Sequence, residues 1–338
     1  MSELFGIVWG YSTSAVVNTA LELRLPDLLG TQARSSKELA TETGTHEPSL
    51  NRLLRAMSSL GVTKETEPGT FALTPAGALL RRDAENSMWS LASLLLHESM
   101  WRPWQQLTES VRTGEPTFEP QFGVSYWTYM REHPEVSSVF NGAMGNASQD
   151  VGAAMAATYD FSRFGTALDI GGGNGTLLAA ILRATPGLRG IVFDSESGVA
   201  EAPGYLAEQG VADRCDIRSG SFLEEIPTGG DIHIVKSVIH DWDDERAAAI
   251  LRNSRRALPA DGRLLIVEPV LPPPPVTVTP QGPFAYLNDL NMMISLRGKE
   301  RTEAEYDALL SATGFRKTAV VPMSGYARVN IIEAVVAP

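Results

Sequence analysis

The stretch Leu168-Asp169-Ile170-Gly171-Gly172-Gly173-Asn174-Gly175 constrains this chain more than any other. Ala167 to Ile170 reads as a short buried strand. It runs into a glycine turn, and Thr176 to Ala184 continues with helical periodicity. Glycines at 171, 173 and 175 let the backbone turn tightly and approach a ligand closely. A dinucleotide fingerprint needs glycine at the sixth position counted from Gly171, where this chain has Thr176. The G-x-G-x-G pattern instead suits a cofactor without a pyrophosphate, with its amino-acid end over the turn.

The rest of the second half keeps to this plan. Gly190 to Phe193, Asp231 to Lys236, Arg263 to Val267 and Val329 to Val336 read as strands. Glu245 to Leu258 and Glu303 to Ala312 read as helices between them. Strands alternating with helices predict a parallel sheet covered on both faces. Asp194 follows the second strand, 19 residues beyond Gly175, where a carboxylate can accept both hydroxyls of a ribose. Asp169 is placed to orient the glycine turn or to meet an ammonium group. Pro272 to Pro275 reads as a stiff connection over the sheet.

A second motif carries the chemistry. His240 follows the strand Asp231 to Lys236 and a short turn. In an open parallel sheet ligands bind beyond the carboxyl ends of the strands. An ordinary histidine titrates near neutrality and can take a proton there. Glu268 follows the next strand at the same sheet edge, and Glu300 follows the segment Asp289 to Gly298. Two carboxylates near an imidazole can orient it and stabilise its charged form. With one histidine in the set, metal binding is not expected. The glycine loop and the histidine together point to methyl transfer from S-adenosylmethionine.

Residues 1 to about 160 read differently, as helical and regulator-like. Ser36 to Ala40 opens a helix that ends at Gly44. Pro48 to Leu60 is a second helix, with Leu50, Leu53, Leu54, Met57 and Leu60 on one face. Val62 to Leu73 contains the turn Glu67-Pro68-Gly69 between two short strands. Helix, helix, hairpin is a winged-helix pattern. Duplex DNA is not the expected partner, because only Arg52 and Arg55 are basic on the second helix and the formal charge is −12. The module is read as a scaffold for dimerisation. The later aromatics Trp89, Trp101, Trp104, Phe118, Phe122, Tyr126, Trp127 and Tyr129 read mainly as core, with some lining a pocket for a flat substrate.

Leu4 to Leu21 carries no charge, but Tyr11, Ser12, Thr13, Ser14, Asn18 and Thr19 suit hydrocarbon poorly. The run reads as a helix buried against protein, such as another subunit, rather than a membrane span or an export signal. The lone Cys215 excludes an intrachain disulfide, in keeping with a cytoplasmic enzyme.

The whole chain resembles the plant caffeate-type and bacterial small-molecule O-methyltransferases. The likeness rests on Glu38-Leu39-Ala40, Leu53-Leu54-Arg55-Ala56, Phe71-Ala72-Leu73-Thr74-Pro75, Ser110-Val111-Arg112-Thr113-Gly114 and Tyr159-Asp160-Phe161. It also rests on the glycine loop, His240-Asp241-Trp242 and Glu300-Arg301-Thr302. The resemblance implies a Rossmann-like class I methyltransferase domain over 161–338, with a helical winged-helix dimerisation and substrate-lid domain over 1–160. It implies a homodimer that methylates a hydroxyl of an aromatic small molecule and releases S-adenosylhomocysteine, with neither nucleic acid nor membrane as partner. His240 would be the base, bracketed by Glu268 and Glu300. Asp169, Gly171, Gly173, Asp194, Ser221, Phe222 and Lys236 would face the cofactor. Met144, Asp241, Asp289, Asn291, Met292 and Met293 would face the substrate. Ser221 stands where the family usually has an aspartate for the adenine amino group, so one hydrogen bond there loses its charge assistance. Relatives that bind the cofactor without methylating often lose the base, whereas this chain keeps His240.

Overall fold

The computed structural model describes residues 2–276, 284–323 and 329–338. Contacts divide the chain into two units. One is Met1–Trp101 with Pro134–Met144; the other is Arg102–His133 with Gly145–Pro338. The division expected near residue 160 thus falls elsewhere. The segment 102–133 is tied to the second unit because the Thr117 N–H donates to the Ile294 carbonyl at 2.9 Å and Trp104 Nε1 donates to Asn291 Oδ1 at 3.3 Å.

In the first unit, Ser35 and Glu38 form a reciprocal capping box that starts the helix Ser36–Thr43. The helix Glu47–Ser59 turns Leu50, Leu54 and Met57 inward. The hairpin Thr63–Glu67 and Thr70–Leu73 follows, and Arg34–Ser35 adds a third short strand beside the second of these. Leu25, Leu29, Leu39 and Phe71 complete this core. The winged-helix pattern read from the sequence is therefore present, with element bounds shifted by a residue or two. The helix Ser2–Glu22 differs: Leu4, Phe5, Ile7, Val8, Trp9 and Tyr11 are each more than half exposed in the single chain. Its stretch Leu4–Glu22 is long and apolar enough to cross a membrane by length and composition.

The second unit is built on a seven-stranded sheet. Its spatial order is Phe315–Pro322, Asn330–Val336, Arg263–Glu268, Ile232–Lys236, Thr166–Ile170, Arg189–Asp194, Cys215–Ser219. The last five in that order are mutually parallel. Asn330–Val336 inserts antiparallel between Arg263–Glu268 and Phe315–Pro322, which corrects the expectation of a wholly parallel sheet. A hairpin reaches that position through a short connection, whereas a parallel strand would need another crossover helix. The two strands with no clear sequence signature, Cys215–Ser219 and Phe315–Pro322, are the sheet edges, and their half-exposed polar residues blur the alternation. One apolar cluster covers each face of the sheet.

Candidate active site

The glycine loop leaves the strand Thr166–Ile170 at the carboxyl edge of the sheet. Gly171, Gly173 and Gly175 have φ of +73°, +54° and +82°, which side chains rarely tolerate. The Gly171 N–H donates to the Phe193 carbonyl at 2.8 Å, tying the turn to the neighbouring strand. Asp194, the last residue of that strand, accepts from the Gly173 N–H at 2.9 Å and the Ser195 N–H at 2.6 Å. Burial raises the Asp194 pKa, and these backbone donors pull it back.

Asp169 is almost fully buried, and among the described residues its Oδ2 has no hydrogen-bond partner. Burial pushes its pKa up to about 7; Lys236 opposes this and Asp194 adds to it. Lys236 is held by Ser237 Oγ at 3.3 Å, and burial lowers its pKa against the pull of Asp169, Glu268 and Asp241. A buried carboxylate oxygen without a donor, beside a bare glycine turn, suits a ligand ammonium. Ser221 is exposed, and Phe222 packs edge-on against Trp242 at 6.2 Å. The residues present therefore fit an adenosyl amino-acid cofactor.

His240 lies in a one-turn helix, Ile239–Asp241, just beyond the strand Ile232–Lys236. Its Nδ1 is 2.8 Å from Glu300 Oε1. In the neutral ring, Nδ1–H donates to that carboxylate and Nε2 keeps its lone pair, the tautomer a base requires. Nε2 lies 3.5 Å from Asp241 Oδ1. Burial opposes the charged ring, but the nearby Glu300, then Glu268, the Glu300 hydrogen bond and Asp241, raise its pKa to about 10. Burial pushes Asp241 up to about 7, with His240 pulling against it. Tyr126 is buried, and its pKa is raised by that burial and by the charge of Asp241.

Glu268 does not grip the imidazole. Its Oε1 accepts the backbone N–H groups of Val238, Ile239 and His240 at 3.0, 2.7 and 3.2 Å, and the Tyr306 hydroxyl donates to its Oε2 at 2.5 Å. The expected bracketing by two carboxylates is thus corrected: Glu300 holds the ring and Glu268 holds the turn. As the last residue of its strand, Glu268 aims at the first amides of the turn beside it.

Asn288 donates to Glu300 Oε1 at 2.6 Å, and Asp289 Oδ1 accepts the Glu300 N–H at 2.8 Å. Burial raises the Asp289 pKa. Met292 is buried and Met293 half-buried on the same helix, Phe284–Leu296. Asn291 is engaged by Trp104. Met144 is the last residue of the first unit, on the helix Pro134–Thr158. Asn288, Gly298 and Tyr306 carried no role in the sequence reading. Tyr306 is buried with Leu309 and Leu310 on the helix Glu303–Ala312. A β-carbon at Gly298 would stand 2.0 Å from the His240 carbonyl oxygen, so only glycine lets these segments touch.

A Rossmann-like sheet with a glycine turn at its carboxyl edge, and Asp194 and a carboxylate-held histidine beside it, has the architecture of a class I methyltransferase. A family model described as O-methyltransferase domain matches residues 104–316, and one described as O-methyltransferase dimerisation domain matches 5–83. The chain is 42% identical to O-demethylpuromycin-O-methyltransferase of Streptomyces alboniger, over 98% of this chain and 88% of that protein. It is 43% identical to phenazine O-methyltransferase PhzM of Lysobacter antibioticus, over 98% and 95%. It superposes with a TM-score of 0.81, at 30% identity and 96% coverage of both chains, on NcsB1, an O-methyltransferase from neocarzinostatin biosynthesis solved with S-adenosylmethionine and 2-hydroxy-5-methyl naphthoic acid. The chain belongs to this O-methyltransferase family and is an S-adenosylmethionine-dependent enzyme.

Proposed function

We propose that the acceptor is a hydroxylated aromatic secondary metabolite, and that His240 is the base that deprotonates it. The observation that carries this reading is the 2.8 Å bond from His240 Nδ1 to Glu300, which leaves Nε2 as the proton-accepting edge. The kinship with enzymes named for puromycin, phenazine and mitomycin methylation supports the substrate class.

Asp169 would hold the cofactor's ammonium, Lys236 its carboxylate, and Asp194 its ribose hydroxyls. Gly171 and Gly173 would bring bare backbone to it, with Ser221 and Phe222 on the adenine side. When bound, S-adenosylmethionine supplies an electrophilic methyl group on a sulfonium. The protein's own part is to take a proton from the acceptor hydroxyl at His240 Nε2 and to shelter the resulting charge pair with Glu300. Asp241, Asp289, Met292 and Met293 are the proposed acceptor contacts. Positioning two reactants in a dry site is the main source of rate. General-base help adds about 10²–10⁴-fold. The enzyme would work as a homodimer in the cytoplasm, with the apolar helix Ser2–Glu22 in the subunit contact.

The test is methyl transfer from radiolabelled S-adenosylmethionine to a panel of phenols, naphthols and hydroxyphenazines, alongside mass spectrometry of ligands that copurify. Labelled aryl methyl ether is the expected product. Cofactor binding without transfer to any hydroxyl, or transfer to ring nitrogen only, would defeat the reading.

A further inference from the structure

Arg301 is fully buried, next in sequence to Glu300. Its Nη1 donates to the Ile239 carbonyl at 3.1 Å and its Nη2 to the Trp242 carbonyl at 3.0 Å. Nε and Nη2 also hold Asp244 Oδ1, at 3.1 and 2.8 Å. Glu268, equally buried, takes the three N–H groups at the start of the same turn. The five residues Val238 to Trp242 are therefore gripped at their amide end by a carboxylate and at their carbonyl end by a guanidinium. Each ionic group supplies the partners that a free turn would seek in water. A buried guanidinium is expensive unless its donors are satisfied. The Asp244 side chain is 61% exposed, so pairing with it does not require Arg301 to lie inside the protein.

We propose that Arg301 is a positioning residue for methyl transfer, acting with Glu268 to fix the turn that aims the His240 imidazole. This rests on the reading of His240 as base. Arg301 touches neither the ring nor any group assigned to the acceptor. It acts through peptide carbonyls on either side of His240 and Asp241. A lysine carries the same charge but cannot reach two carbonyls and a carboxylate with one planar fork. Tyr306, which occupies the other oxygen of Glu268, belongs to the same grip at one remove.

The test compares Arg301→Lys and Tyr306→Phe with wild type in protein labelled with ¹⁵N-histidine. The chain has five histidines, and His240→Gln identifies the signal of interest. Two readouts are taken: the titration midpoint of His240, and kcat and KM for S-adenosylmethionine with any phenol methylated in the panel. Arg301→Lys is expected to lower kcat about 10-fold or more, as small misplacements of reacting groups do. KM for the cofactor should stay within about threefold and the His240 midpoint should fall as its contact with Glu300 loosens. A wild-type midpoint together with kcat within about twofold overturns the proposal. If Arg301→Lys fails to fold, Tyr306→Phe decides: a shift in the same direction supports the grip and wild-type values refute it. If no phenol is methylated but the midpoint still moves, the acceptor reading falls, while the hold of Arg301 on the His240 turn stands.

Discussion

Gly171 leaves no room for a side chain beside Val238: a β-carbon at 171 would stand 2.5 Å from Val238 Cγ2. Val238 is also the first residue whose N–H is held by Glu268. The glycine loop and the histidine turn are thus packed against each other, and a disturbance of one is felt by the other. Gly171→Ala is expected to damage both, through the clash and through a φ of +73°. Affinity for S-adenosylmethionine should fall about 10-fold or more, and kcat with it. Gly187→Ala is the control, since nothing lies within 4 Å of its added carbon. Calorimetry that found wild-type affinity in Gly171→Ala would contradict the packing argument.

His240→Ala should leave cofactor affinity nearly unchanged while lowering kcat at neutral pH by about 10²–10⁴-fold. Part of the activity should return as pH rises toward the acceptor's own pKa, because a phenolate needs no base. Single-turnover transfer measured across pH is the check. A kcat near wild type at pH ~7 would mean that proximity alone drives the reaction.

Much of this site was legible in the sequence, for local reasons. The glycines demand positive φ, and a polar residue at the end of an apolar strand points to the ligand edge; the placement of Asp194 and His240 at that edge is read in this way. The hidden part is non-local. Glu268 sits 28 residues from the turn it holds, and nothing in its neighbours says whether it faces an imidazole or a row of amides. Tyr306 shares a buried helix face with Leu309 and Leu310, and that pattern carries no sign that its hydroxyl meets Glu268. The charged, half-exposed edge strands escaped for the opposite reason, since burial on one face only partly patterns them. The sheet's antiparallel end follows from chain connectivity, which residue periodicity does not encode.

Glu300→Gln tests the electrostatics of the base. Burial works against the charged His240 ring, yet the charge of Glu300 and its neighbours holds the pKa up near 10. The free-base fraction, and with it activity, should therefore climb from neutral pH toward that value. Removing the Glu300 charge should move the acid limb of kcat/KM to lower pH, by about a unit or more. Maximal activity should also fall, because the ring loses its anchor. The profile needs an acceptor that does not itself titrate in the same range. An unmoved acid limb would show that Glu300 does not set the histidine's proton affinity.

The apolar helix Ser2–Glu22 bears on assembly. Six large apolar side chains between Leu4 and Tyr11 are more than half exposed in one chain, a patch that monomers rarely tolerate. The matched dimerisation domain spans residues 5–83. Deleting residues 1–20 is expected to give monomers or aggregates by light scattering. A well-behaved, fully active monomer after that deletion would refute the proposed subunit contact.

His233 offers a stability test separate from catalysis. It is fully buried on the strand Ile232–Lys236, with Nδ1 2.9 Å from Ser254 Oγ, and among the described residues its Nε2 has no partner. Burial disfavours its charged form and lowers its pKa from 6.5 to about 3. The unfolded chain therefore binds a proton that the folded chain refuses between these values. The contribution of neutral His233 is fully present above the unfolded pKa, and it is lost as pH falls from about 6.5 toward 3. The loss approaches ~1.4 kcal/mol per pH unit inside that window. His233→Gln keeps a polar group against Ser254 but cannot titrate. It should be less stable than wild type at pH ~7, with a flatter decline toward pH ~4.5 in urea melts. If the two proteins lost stability in parallel between those pH values, the buried neutral histidine would not be a source of acid sensitivity.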